Sequence, residues 1–158
     1  MSSCSLLQES LVNCGVVLVK FDHKLGPIIL SNNSELEENL LMNLAIKGTT
    51  TLMSGLPYSK SNTRRFRGLF QLSEDYFVYG FDLVLVDDQN DNEAFLPILL
   101  FLVFPASSVP IVGSNIQSIE NTLYESTESF LTLSQIHPEF SFNLVSSIKE
   151  SISYSTSS

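Results

Sequence analysis

Four basic residues, Lys60, Arg64, Arg65 and Arg67, fall within one short stretch and make up half of the 8 Lys and Arg in the chain. On a protein of opposite net charge such a spot can meet an acidic protein surface or anionic lipid headgroups. At the start of a strand the same charges serve instead to discourage edge-to-edge pairing. The 2 histidines carry less: His23 sits in a stretch that reads as a turn, and His137 directly precedes Pro138. No Gly-x-Ser-x-Gly elbow accompanies the many serines, so no Ser-His-Asp constellation is singled out. Cys4 and Cys14 are too few for a disulfide framework or a metal site and read as reduced thiols. Asp88, Asn90 and Asn92 stand at the first, third and fifth positions of a calcium loop. Glu93, however, falls where Gly is required, and Leu99 where a bidentate Glu belongs. The stretch 87–93 therefore reads as a solvated loop between strands. Neither Gly-rich phosphate-binding pattern occurs. The expectation is a protein that is not an enzyme and has no cofactor or metal.

Composition sets the scaffold that must carry these residues. A chain of 158 residues suits one domain, and 11 Phe with 5 Tyr supply large side chains for a core. Only 16% of residues are charged, which excludes disorder along the whole chain. The net charge of −9 has the wrong sign for a nucleic-acid binder, whose affinity rests on neutralising phosphates. The first ten residues lack the basic and apolar regions of a secretory signal. The most apolar stretch, 94–106, contains Pro97 and Pro105 and falls short of the roughly 20 residues that span a bilayer. The expected location is the cytoplasm, peripheral to a membrane at most.

Patterning then orders the elements. Residues 4–12 form a short amphipathic stretch around Leu6, Leu7 and Leu11, open to either a helix or a lead-in strand. Residues 16–21 are a β-branched run typical of a strand buried on both faces. A turn over 22–26 leads to a second strand opened by Pro27, where a missing N–H costs least. Ser34-Glu35-Leu36-Glu37 has the spacing of a capping box, with three acids placed for the first helical turn. Leu36, Leu40, Leu41, Leu44 and Ala45 follow on one face, and Lys47-Gly48 reads as a stop that 49–53 could override. After a loop over 55–62, strands are expected over 65–72, 75–86 and 95–104, then a breaker-rich connection over 105–113. Ser114-Asn115-Ile116-Gln117 reads as a second capping box, opening a helix to about residue 133 on a stripe of Ile116, Ile119, Leu123, Phe130 and Leu131. A last helix carries Leu144, Val145, Ile148 and Ile152, and the Ser-rich tail 153–158 is expected to fray. The predicted order is β-β-α-β-β-β-α-α, an α+β sandwich with an antiparallel-rich five-stranded sheet, formed by one domain over 1–152.

That order resembles the longin domain of membrane-trafficking proteins, a profilin-like sandwich. At residue level, Phe21-Asp22-His23-Lys24-Leu25-Gly26-Pro27, followed by Ser31, resembles the Phe-Asp-x-x-x-Gly-Pro hairpin of longin-like proteins widespread in archaea. Leu41-Met42-Asn43-Leu44 resembles the Leu-Met-x-Leu of their first helix. The motif likeness covers about the first third of the chain, and element order carries the rest. Phe21, Asp22, Gly26 and Pro27 carry over as the shape of a hairpin: Gly26 can take positive φ, Pro27 sets the exit angle, and Asp22 can bond the turn's N–H groups. The resemblance implies a non-catalytic interaction module that scaffolds or regulates small-GTPase or vesicle-trafficking complexes. Its implied partners are a small GTPase or a second longin or roadblock domain, in a homo- or heterodimer, with no nucleic acid. The roadblock domain is the nearest alternative, a homodimeric GTPase co-regulator with an extra first helix and without two substantial helices after the last strand. A ligand sensor is the third, and it requires an enclosed cavity between sheet and helices.

Overall fold

The computed structural model describes residues 14–22, 25–53, 67–86, 95–130 and 132–156. Strands β1 (Gly15–Asp22), β2 (Gly26–Asn32), β3 (Arg67–Gln71), β4 (Tyr76–Val86) and β5 (Phe95–Pro105) form one sheet in the order β2-β1-β5-β4-β3. Every neighbouring pair is antiparallel. Helix α1 (Glu38–Met53) precedes β3, and α2 (Val109–Ser114), α3 (Ile116–Thr127) and α4 (Phe140–Thr156) follow β5. Single 3₁₀ turns over Ala106–Ser108 and Leu133–Gln135 complete the described elements. The fold is an α+β sandwich.

Period-two alternation divides the sheet between two cores. On central β5, Ile98, Leu100, Leu102 and Phe104 join Val16 and Leu18 of β1 and Tyr79 and Phe81 of β4 in packing against α3 and α4, through Ile119, Leu123, Leu144 and Ile148. Leu99, Phe101 and Val103 point the other way, joining Val17, Val19 and Val78 beneath Leu36, Leu44 and Ala45 of the α1 segment. The unbroken apolar runs of β1 and β5 thus reflect burial on both faces.

Several boundaries differ from the sequence reading. Ser34 does not cap α1. Asn33 N–H donates to Val16 O at 3.1 Å, and a Cβ on Gly15 would lie 2.5 Å from Ser34 Cα, so 33–34 is pinned to the start of β1. Ser34 Oγ instead accepts from Leu36 N–H two residues on. The helix opens at Glu38, with Glu37 O accepting from Leu41 N–H at 2.9 Å, and of the three acids only Glu38 lies in the first turn. Gly48 is no stop: α1 runs through to Met53, and Gly48 is where the helix backbone meets the Phe101 ring. The second capping box also fails. Ser114 Oγ donates to Pro110 O at 2.9 Å and Asn115 Nδ2 to Ile111 O at 2.8 Å, so both side chains face back along α2 and cap nothing ahead.

The connection after β5 is itself structured, a 3₁₀ turn leading into α2, with Pro110 tolerated in the first turn because its missing N–H is an orphan there. Helix α3 stops at Thr127, short of the expected 133, and Thr132 pairs in parallel with Val86. A genuine capping box lies just beyond, where Thr132 and Gln135 satisfy one another's backbone N–H groups. Helix α4 has 17 residues against the 12 expected, and its backbone stays helical to Thr156, past the point where the sequence reading begins a frayed tail. The amphipathic stretch 4–12, Leu131, the loops 55–62 and 87–93 and the last two residues lie outside the described residues.

Candidate functional site

The hairpin motif closes as its residue types require. Phe21 pairs with Pro27 and Asp22 with Gly26, Gly26 takes φ +80°, and Asp22 Oδ1 accepts from Leu25 N–H at 2.9 Å. Leu25 at the tip is 76% exposed. Of the basic cluster, Arg67 opens edge strand β3 opposite Phe81, while Lys60, Arg64 and Arg65 lie outside the described residues. His23, Cys4 and the loop holding Asp88, Asn90 and Asn92 lie outside them too.

Helices cover both sheet faces, so the surface left for recognition lies at the edges and on the outer sides of the helices. On edge strand β2 the pairing with β1 slips between Leu18 and Val19: Leu18 faces Ser31 and Val19 faces Ile29, leaving Leu30 as the extra residue of a bulge. Bulges re-aim side chains and blunt an edge against further pairing. Ile29 packs into the α1-side core, whereas Ser31 Oγ lies 3.1 Å from Ser141 Oγ at the start of α4. Leu30, 38% exposed, thereby lines a groove of about 310 Å³ with Leu18, Leu133, Ile136, His137 and Pro138.

Two further clefts lie along α4. One, of about 340 Å³, lies between the end of α3 and the first turns of α4, lined by Phe130, His137, Glu139, Phe140, Asn143 and neighbouring residues. The Phe130 and Phe140 rings stand edge to face with centroids 5.1 Å apart. The other, of about 350 Å³, runs between α3 and α4 past Asn121, Glu125, Ser147 and Glu150. His137 is common to the first two and Ser147 to the last two. His137 is thus an exposed wall residue between two clefts, and its backbone oxygen accepts the Phe140 N–H at 3.0 Å. The sequence reading missed this surface, although the Thr132-x-x-Gln135 spacing was a usable sign that 132–138 is an ordered element.

Two buried polar groups lie away from it. Burial pushes the Cys14 thiol up from 9.0 to about 12, and nearby Lys149 offsets this only in part. That is an inert thiol at neutral pH. Asp82, 3% exposed, sits opposite Leu99 on the α1 side of β4. Among the described residues no three His, Cys, Asp or Glu are grouped to hold a metal ion, and no helix is long and apolar enough to cross a membrane. Neither the family models nor the curated proteins compared with this sequence give a significant match.

Proposed function

We propose that the chain is a non-catalytic protein–protein interaction module of the longin-like class, scaffolding or regulating a small-GTPase or membrane-trafficking complex. The observation that carries this reading is the bulged β2 edge, which turns Leu30 into an apolar groove beside 133–138. Docking there rests on side chains entering the groove, because the bulge and Pro27 disfavour a strand continuing the sheet. The element order and the Phe21-to-Pro27 hairpin support the longin-like class. Helices of 12 and 17 residues after β5 favour it over a roadblock-type scaffold. Against a sensor stands the packing of the sheet–helix layers, where Leu100, Leu102, Ile119 and Ile148 are fully buried against one another.

The test is co-purification from native lysate with mass-spectrometric identification, run in parallel on the Leu30→Asp variant. A protein partner retained by the wild type and lost by the variant is the expected result. A bound metabolite with no protein partner overturns the proposal.

A further inference from the structure

Resting on the reading of the β2 side as a docking surface, we infer that its occupant is an extended segment of a partner protein carrying an aliphatic anchor and, a few residues away, lysine or arginine. The second cleft shares His137 with the β2 groove and Ser147 with the third cleft, and the chemistry changes along this series. The β2 end is aliphatic, with Leu30, Ile136 and Pro138. The middle offers the half-buried Phe130 ring, backed by the more deeply buried Phe140, beside exposed Glu139. The far end holds exposed Glu125 and Glu150. Among the described residues lining the three clefts there are three carboxylates and no Lys or Arg.

A guanidinium can lie on an aromatic face while its N–H groups meet a carboxylate. The net charge of −9 adds a longer-range attraction for the same cation. An acidic segment meets repulsion in the second and third clefts, and a wholly apolar one would desolvate carboxylates without pairing them. Between Phe140 and Ser147 α4 rises by about 10 Å, which an extended chain covers in about three residues. Pro138 lines the groove and Glu139 the second cleft, so the basic residue lies a few positions from the anchor and a short peptide reaches both.

The experiment selects a phage-displayed library of random dodecapeptides on the chain and titrates the enriched peptides by fluorescence anisotropy. The expected peptides pair an aliphatic residue with Lys or Arg at that spacing. Their binding weakens about tenfold or more in the combined Glu125→Gln, Glu139→Gln and Glu150→Gln variant, the weight of one charge-assisted contact. Replacing the peptide's arginine by citrulline weakens wild-type binding similarly and leaves no further loss in the triple variant. All three glutamates are exposed, and thermal unfolding verifies that the variants remain folded. Enriched peptides that need Leu30 but carry no basic residue and ignore the carboxylates overturn this inference while leaving the docking surface standing. Peptides unaffected by Leu30→Asp, or a selection that enriches nothing over bare support, overturn both.

Discussion

Replacing Gly48 by Ala tests whether α1 is seated on the sheet as described. In a solvent-facing helix interior this change stabilises by about 0.8–1.0 kcal/mol, because Ala loses less backbone entropy on folding. Here the new methyl would stand 2.6 Å from Cε1 of Phe101. That ring is fully buried on the central strand and meets Phe70 edge-on, with centroids 6.3 Å apart, so it has little room to swing. Overpacking of this kind costs about 1–3 kcal/mol, which leaves a net destabilisation of about 1 kcal/mol. For a chain of this size that lowers Tm by about 2–4 °C. The decisive measurement is a double-mutant cycle by urea denaturation with Phe101→Leu as the second change. Shortening the ring costs stability by itself but vacates the space the methyl needs, so Gly48→Ala becomes stabilising in that background. A coupling of about 1–2 kcal/mol is expected for two groups in direct contact. If Gly48→Ala raises the stability of the otherwise unchanged chain by about 1 kcal/mol, the close approach of helix and ring is refuted.

Two other outcomes follow from local geometry and burial. Gly26→Ala places a Cβ at φ +80° and lowers stability by about 1–2 kcal/mol, measurable by denaturation, although no atom crowds the position. Cys14 has a folded pKa of about 12 against an ordinary value of 9.0, so the folded state holds the thiol proton more tightly. Its contribution is complete below pH 9 and is lost as pH rises toward 12. Between pH 7 and pH 10 the chain loses about 1.4 kcal/mol more than its Cys14→Ala variant does, by urea denaturation at both pH values, and parallel pH profiles would contradict the burial.

What the residues disclosed follows the range of the interactions involved. The β1–β2 hairpin was legible because its determinants are neighbours: a glycine that accepts positive φ, a proline at a strand start and an aspartate three residues from the N–H it accepts. The capping signals misled because these side chains have other partners. Contact between 33–34 and β1 holds Ser34 short of the helix start, and α2 ahead of α3 offers Ser114 and Asn115 carbonyls behind them. Of the residues singled out at the start, the basic cluster contributes only Arg67 to the described structure, and the histidine next to Pro138 gained a place in a surface that spacing did not reveal.

By itself, the sequence determined the α+β class and the five strands of the described sheet. Apolar runs and their periods depend on composition along the chain, and the hydrophobic effect acts on them without regard to partner. Only the tertiary structure decided which residues face which core, that Gly48 admits a ring where a helix end was expected, and that Leu30 becomes the extra residue of a bulge. A one-residue slip in pairing costs little locally but redirects a side chain to another face, and that register is settled by contacts distant in sequence. The candidate docking surface exists because β2, the 133–138 segment and two helices converge there.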